Sequence, residues 1–285
     1  SSSIDDYDFS FELGRSEESD YLSNSYAINA SKRLAEGTLT LSTGFSYLDD
    51  KVDSNVPGGP SLGIVSRKTP EVFLGIHRII DPQTTLSLGL TYGHPKGYLS
   101  DPYKQVGRLE PVFPGSLEED FYLYPENRPN ERDTFVAYLE GVRYFNQLDA
   151  TLESSYRFFT DDSDLSGHTL EIKWLKRLND KLIIRPLFRY YAQNPADFYL
   201  ITLDSTGIEP TPQPNGTGPD FYSSDYRLSK LRATTLGLKF TYLPFDDLSL
   251  DLSFDRYEMR GTDHQTDQRV YPHANVMTLG MQWLF

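Results

Sequence analysis

The feature that most constrains this chain is an alternation of apolar and polar residues at period two, sustained for longer than a soluble strand requires. Leu86, Leu88, Leu90 and Tyr92 fall on one face, and Thr85, Ser87, Gly89, Thr91 and Gly93 on the other, as expected when successive side chains of a strand point to opposite sides. Leu39, Leu41, Phe45 and Tyr47 alternate in the same way with Thr40, Ser42, Gly44 and Ser46, and Leu248, Leu250, Leu252 and Phe254 with Ser249, Asp251, Ser253 and Asp255. The first residues (Tyr7, Phe9, Phe11, Leu13) and the last (Met277, Leu279, Met281, Trp283) repeat it, and helical spacing competes nowhere over a comparable length. Twelve strands are predicted, over about 5–15, 21–34, 37–48, 70–81, 84–95, 132–145, 147–160, 167–178, 181–193, 226–243, 247–258 and 273–285. At 132–145 two faces compete, Phe135, Ala137 and Leu139 against Val136, Tyr138 and Val142.

The connections are asymmetric. Counted from the N-terminus the odd ones are long, near 16–20, 49–69, 96–131, 161–166, 194–225 and 259–272, and the even ones are tight, as at Ala35–Glu36, Pro82–Gln83 and Asn179–Asp180. All short turns and both termini therefore lie at one end of the strands. That is the pattern of an outer-membrane barrel with short periplasmic turns and long extracellular loops. A soluble β-sandwich is the alternative, but sandwich strands cluster near five or six residues, and these approach the roughly 9–11 tilted residues that cross a bilayer. The predicted fold is all-β: one transmembrane antiparallel up-and-down β-barrel domain over 1–285, of about 12 strands, or 14–16 if strands precede Ser1, since single-chain bacterial barrels have even counts.

A barrel also reconciles the composition. The 285 residues are 14% aromatic and carry a net charge of −14, with a mean hydropathy of −0.50. No run is long and apolar enough for a membrane helix, and an acidic chain argues against nucleic acid as a partner. In a barrel only the outward half of each strand must be apolar, while the lumen and loops stay polar. Tyr47, Tyr92, Tyr156, Tyr190 and Tyr242, near strand ends on the apolar face, are candidates for the interfacial aromatic girdle. Ordinary packing is the alternative for each. Cysteine is absent, so neither disulfides nor thiolate metal sites are expected. No leader opens the chain at Ser1. It was either removed, or the chain starts inside a longer product.

On the polar face Arg157, Lys173, Arg177, Arg185 and Arg189 point inward from three consecutive strands, and Asp251, Asp255, Asp6, Asp8 and Glu12 lie on the strands expected to meet at closure. A basic wall facing an acidic arc would orient polar solutes in a narrow pore. The competing picture is an ion-pair network filling the barrel, with Glu153 and Glu171 neutralising the arginines.

No nucleophile elbow, phosphate loop, dinucleotide fingerprint or zinc-ligand spacing occurs. The histidines at 77, 94, 168, 264 and 273 have no paired spacing, and Asp161-Asp162-Ser163-Asp164 lacks the glycine and terminal glutamate of a calcium loop. No cofactor, metal or catalytic residue is expected. An outer-rim hydrolase built around His94 near Asp101, or His168 near Asp164, is the least favoured alternative.

The last residues, Thr278-Leu279-Gly280-Met281-Gln282-Trp283-Leu284-Phe285, resemble the β-signal read by the bacterial barrel assembly machinery, with Thr278, Gly280, Trp283 and Phe285 at the specified positions. Gly97-Tyr98-Leu99-Ser100-Asp101-Pro102-Tyr103-Lys104, Tyr156-Arg157-Phe158-Phe159-Thr160-Asp161-Asp162, Arg185-Pro186-Leu187-Phe188-Arg189-Tyr190-Tyr191-Ala192-Gln193 and Ser223-Ser224-Asp225-Tyr226-Arg227-Leu228-Ser229 resemble the bacterial DUF3570 family. That resemblance implies an outer-membrane barrel without an established biochemical function, and further strand-like segments ahead of the point matching Ser1. The expected function is a narrow channel for small polar solutes, with loops 96–131 and 194–225 folding over or into its mouth. The alternative is a non-conducting scaffold that houses or docks a surface lipoprotein or electron-transfer protein. Expected partners are the lipid bilayer, the assembly machinery during biogenesis and, for the scaffold, a periplasmic or surface protein.

Overall fold

Long period-two segments joined alternately by tight and long connections fold as an antiparallel meander, each strand hydrogen-bonded to the next. The computed structural model describes residues 2–4, 6–55, 62–211, 216, 218 and 220–284. Sixteen strands occur among them: β1 (Ser2–Ile4), β2 (Tyr7–Glu17), β3 (Tyr21–Leu34), β4 (Leu39–Asp53), β5 (Ile64–Asp81), β6 (Thr84–Gly93), β7 (Lys96–Gly97), β8 (Gln105–Pro111), β9 (Glu119–Pro125), β10 (Thr134–Phe145), β11 (Ala150–Asp161), β12 (Ser166–Asn179), β13 (Leu182–Gln193), β14 (Leu231–Phe245), β15 (Leu248–Gly261) and β16 (His273–Trp283). The main sheet runs β1-β2-β3-β4-β5-β6-β10-β11-β12-β13-β14-β15-β16, with β7 paired to β5 and β8-β9 forming a separate hairpin. Its long strands, β2–β6 and β10–β16, are the twelve that the alternation predicts.

Two boundaries differ from the sequence-based expectation. The 49–69 connection is largely strand, because β4 and β5 stay paired up to Asp53 opposite Ile64. The inward pairs Asp50–Arg67 and Val52–Val65 give that upper ladder an ion pair and a β-branched contact, which offset its lack of lipid contact. The segment predicted to start at 226 begins instead at Leu231, because the Asp225 side chain accepts the Arg227 N–H and winds Tyr226–Leu228 into a 3₁₀ turn.

Register resolves the two faces. Outward rows are apolar: Val72, Tyr92 and Phe135 lie across β5, β6 and β10, and Leu238, Phe254 and Met277 across β14, β15 and β16. The ambiguous β10 puts Phe135, Ala137 and Leu139 beside Tyr92, Leu90 and Leu88, and Val136, Tyr138 and Val142 on the polar side. Inward, small residues make room for large ones. Phe73 lies over Gly75 and Gly89, where an added Cβ would stand 2.8 Å and 3.1 Å from its ring.

Among the described residues no apolar core lies behind the sheet. The buried clusters are Val106, Leu203 and Tyr222, and Leu165, Ala196 and Leu228, and both sit at the long-loop end. A single curved wall leaves its outward residues without protein neighbours, so Leu279 is 72% exposed and Phe254 47%, as a lipid-facing surface is in the absence of lipid. Among the described residues β16 pairs only with β15, and β1 and β2 do not meet it. The loop end nonetheless gathers both margins of the sheet. Tyr103 hydrogen-bonds Asp20 in the β2–β3 connection, and Tyr199 and Ser229 bond Thr266 and Tyr271 in the β15–β16 connection.

Candidate functional site

Segments 94–133 and 194–230, the two longest connections, fold on each other as a cap across the loop end. The β8-β9 hairpin supplies one half. The other half adds backbone pairs to it: Asn127 and Tyr222 exchange N–H···O bonds of 3.0 and 2.9 Å, and Leu203 N–H donates to Gly107 O at 2.9 Å. Around these, Tyr124, Leu200 and Ile208 close over Val106, Leu203 and Tyr222, giving the cap an apolar centre of its own.

Beneath that centre lies a charged network. Glu126 and Asp225 have side chains 0% and 1% exposed, and both meet Arg128, at 2.7 and 2.8 Å. Arg227 donates from Nε to Asp225 at 2.8 Å and from Nη2 to Asp101 at 2.7 Å. Glu126 also accepts from the Asp101 N–H at 2.5 Å and from the Ser223 hydroxyl. Burial pushes the Glu126 carboxyl above its ordinary value against the pull of Arg128. Asp225 is also buried, which works to raise its pKa, but its hydrogen bonds with Arg227 and the charges of Arg227 and Arg128 hold it below the usual carboxylate range. Nearby, burial with the charge of Glu126 pushes the Tyr98 hydroxyl up to about 12.

Two adjoining cavities separate the cap from the wall. One of about 260 Å³ is lined by Arg67, Thr69, Arg128, Arg132, Ser163 and Phe198 among others. Another of about 390 Å³ opens beside Glu18, Asp20, Tyr21, Asp101, Tyr103 and Arg227. Arg67, Leu99, Arg128 and Leu228 line both. Their arginines are tethered: Arg67 donates to Asp50 at 2.8 Å and to the Tyr21 hydroxyl at 3.0 Å, and Arg132 donates from Nε to Asp161 at 2.6 Å. The result is a mouth chamber rich in fixed charge of both signs, with aromatic hydroxyls along one side.

The inward face beneath carries the residues that alternation singles out. Arg157, Lys173, Arg185, Arg189, Glu153 and Glu171 share one side of β11, β12 and β13. Glu171 sits 2.6 Å from Lys173 and 3.8 Å from Arg189, and Arg177 is 3.8 Å from Asp149. Arg185 Nε is buried without a hydrogen-bond partner among the described residues. Asp251 and Asp255 lie inward on β15, opposite Gly280 and Val276, and Asp8 and Glu12 inward on β2, opposite Ser31 and Ala27. Separation of the two signs is incomplete. Lys239 pairs with Asp251 at 2.8 Å and Arg33 approaches Asp8 at 3.6 Å. Both cations were legible in the alternation of β14 and β3 but fell outside the predicted wall.

Tyr47, Tyr92, Tyr156, Tyr190 and Tyr242 all stand in outward rows, opposite Tyr26, Phe135, Leu139, Leu170 and Leu250. Tyr47, Tyr92, Tyr156 and Tyr190 lie toward the loop end and Tyr242 near the opposite turn. Thr278, Gly280 and Trp283 lie on β16, where Trp283 Nε1 donates to Asp247 at 3.1 Å. Phe285 lies outside the described residues.

The hydrogen-bond partners of the rim histidines are not Asp101 and Asp164, and neither histidine bonds a serine among the described residues. His94 Nδ1 meets Asp133 at 2.8 Å, and His168 Nδ1 meets the Tyr156 hydroxyl at 2.6 Å. A Ser–His contact occurs at His77 and Ser87, 3.0 Å apart on the inward face, with no carboxylate bonded to that histidine among the described residues. The Asp161 carboxylate is taken by Arg132 and by the Ser163 and Leu165 N–H groups, and among the described residues no three acids or histidines stand together as metal ligands.

The profile of the family described as "Protein of unknown function (DUF3570)" matches residues 1–282. No curated protein sequence matches the chain. Among solved structures it is similar to CdiB from Acinetobacter baumannii, with a TM-score of 0.51 at 13% identity over 98% of this chain and 48% of that one. It is similar to BamA from Haemophilus ducreyi lacking POTRA domains 1–3, with a TM-score of 0.51 at 14% identity over 96% and 58%. The ferric enterobactin receptor PfeA of Pseudomonas aeruginosa gives 0.51 at 13% identity over 84% and 35%. The chain thus spans between 35% and 58% of the length of these three structures. These are transmembrane β-barrels, and the fold is theirs.

Proposed function

The chain belongs to the DUF3570 family, and we propose that it sits in the bacterial outer membrane as a narrow conduit for small polar solutes, with its termini and short turns periplasmic and its long loops extracellular. The observation that carries the reading is the capped mouth. Two long loops cover the wall and leave chambers of about 260 and 390 Å³ whose shared lining includes Arg67 and Arg128. A wall built only to anchor something has no need of a polar chamber at its mouth. Mixed fixed charge inside a polar wall favours hydrated, small solutes and disfavours apolar ones.

In this picture the inward charges Arg157, Lys173, Arg185, Arg189, Glu153, Glu171, Asp251 and Asp255 set selectivity. The outward tyrosines anchor the wall at the lipid boundary, and Thr278, Gly280 and Trp283, with Phe285, present the assembly signal. The chain carries out no catalysis. A non-conducting scaffold is the second reading, favoured by the ion pairs of Glu171 and Asp251 that partly neutralise the inward wall.

Planar-bilayer recording separates the two. A conduit gives small conductance steps that grow when the cap is loosened by Arg128→Ala. Silence from both wild type and variant defeats the channel reading, and a stoichiometric co-purifying protein then supports the scaffold.

A further inference from the structure

Above the apolar band of β14 and β15 the outward face turns basic, in a chain whose net charge is −14. Arg232 and Arg260 are direct cross-strand partners on the face that carries Leu238 and Phe254, and Arg256 follows Phe254 by two residues, roughly 7 Å along the strand. Like charges directly opposite one another destabilise a sheet, so this pairing is a cost unless an anion lies between them. Two of the three guanidiniums share one carboxylate: Glu258 lies 2.9 Å from Arg256 and 3.1 Å from Arg260. Arg232 is exposed and pairs with no carboxylate among the described residues. Asn275 accepts from Arg256 Nη1 at 3.0 Å and fixes that guanidinium. A groove of about 320 Å³ passes Arg256, Arg260, Gln268 and His273.

The opposite rim differs. Its outward cations Lys32, Arg78, Arg143 and Lys176 are spread over separate strands, and Lys32, Arg143 and Lys176 meet Tyr7, the Phe145 ring and the Leu148 carbonyl.

We propose that the Arg232–Arg256–Arg260 cluster binds the phosphates of a phosphorylated glycolipid in the outer leaflet. The position, just beyond the apolar rows and outside the wall, is where a lipid headgroup lies. Arginine is the residue suited to fork phosphate oxygens bidentately, and opposed side chains near 5 Å apart can share one phosphate. The inference rests on the outer-membrane placement proposed above but not on conduction.

The test uses the full chain in neutral detergent, titrated with bisphosphorylated lipid A, with the same glycolipid after dephosphorylation, and with inorganic phosphate. Bound lipid is read by native mass spectrometry, and the unfolding temperature is read in parallel. Bisphosphorylated lipid A is expected to bind and raise the unfolding temperature, and the other two to do neither. R232Q/R256Q/R260Q is expected to weaken that binding at least tenfold, and K32Q/R143Q to leave it unchanged. Should the triple variant fail to fold, R232Q alone is expected to weaken binding severalfold. Equal binding of the dephosphorylated glycolipid, unchanged binding by R232Q, or the same stabilisation by inorganic phosphate overturns the proposal. A protein that conducts in bilayers but ignores lipid A loses this inference and keeps the channel reading.

Discussion

Arg128 donates to the buried carboxylate of Asp225 at 2.8 Å, closing a gap of 97 residues in sequence. That contact joins the two halves of the cap, because Arg128 follows the β8-β9 hairpin and Asp225 caps the turn leading into β14. Removing Arg128 leaves the Glu126 carboxylate buried without its cation, while Asp225 keeps Arg227, and breaking a buried pair in this way typically costs about 3–5 kcal/mol. Arg128→Ala is therefore expected to open the cap locally while the strands hold. Limited trypsin digestion should cut within 96–131, after Lys104 or Arg108, at rates at least tenfold above wild type, with the strands of the wall left intact. Unaltered cleavage would show that the apolar centre around Val106 and Tyr222 holds the cap without the ion pair.

Glu126 gives the cap a pH dependence of definite sign. Burial, opposed by Arg128, raises its pKa, so the folded cap binds a proton more readily than the opened one. Stability that depends on this group is present at low pH and falls as pH rises from the ordinary glutamate value through the raised one. Asp225 works oppositely. Although burial opposes it, hydrogen bonds with Arg227 and the charges of Arg227 and Arg128 depress its pKa, so its contribution is present above the usual aspartate value and is lost on strong acidification. Glu126→Gln removes the first dependence and keeps the hydrogen-bonding shape. Amide exchange at 126–128 should slow in the variant relative to wild type as pH rises above about 4.5, after correction for intrinsic exchange. A pH-independent ratio would remove Glu126 as the source.

The inward ring of Phe73 depends on two glycines in the neighbouring positions of its face. At Gly75 an added Cβ would lie 2.8 Å from the ring, so that Phe73 must shift, whereas at Gly89 the distance is 3.1 Å and the ring need give by only a few tenths of an ångström. Gly75→Val is expected to cost about 1–3 kcal/mol, as overpacking does, read by urea unfolding from lipid vesicles. Phe73→Leu in the same background should recover part of it. A cost that persists unchanged in the double variant would place the strain in the backbone instead.

Period two made the wall legible, because outward rows such as Leu238, Phe254 and Met277 face lipid and tolerate nothing polar. The cap was less so. β8 and β9 lie in a Pro- and Gly-containing stretch with no clean alternation, since their hairpin packs on residues about a hundred positions away, as Gly107 does on Leu203. Arg128, Glu126 and Asp225 were invisible for the same reason: each is an ordinary loop residue until two distant segments meet. Lys239 and Arg33 were overlooked despite regular alternation, because facing cations and acids can be matched only when strand order and register are both known.

Glu171 is the inward acid best placed to report on selectivity, lying 2.6 Å from Lys173 and 3.8 Å from Arg189. Its carboxylate offsets part of the basic wall at that level. Glu171→Gln leaves both cations facing inward with one fewer opposing charge, and if the chain conducts as proposed, screening by salt over about 8–10 Å leaves that change felt by a passing ion. In a potassium chloride gradient the reversal potential is expected to shift toward chloride, as the chloride-to-potassium permeability ratio rises. Asp251→Asn should act in the same direction by freeing Lys239, now 2.8 Å from Asp251. If both variants conduct with an unchanged reversal potential, the permeating path does not pass these side chains, and the inward ion pairs hold the wall in shape without filtering what crosses it.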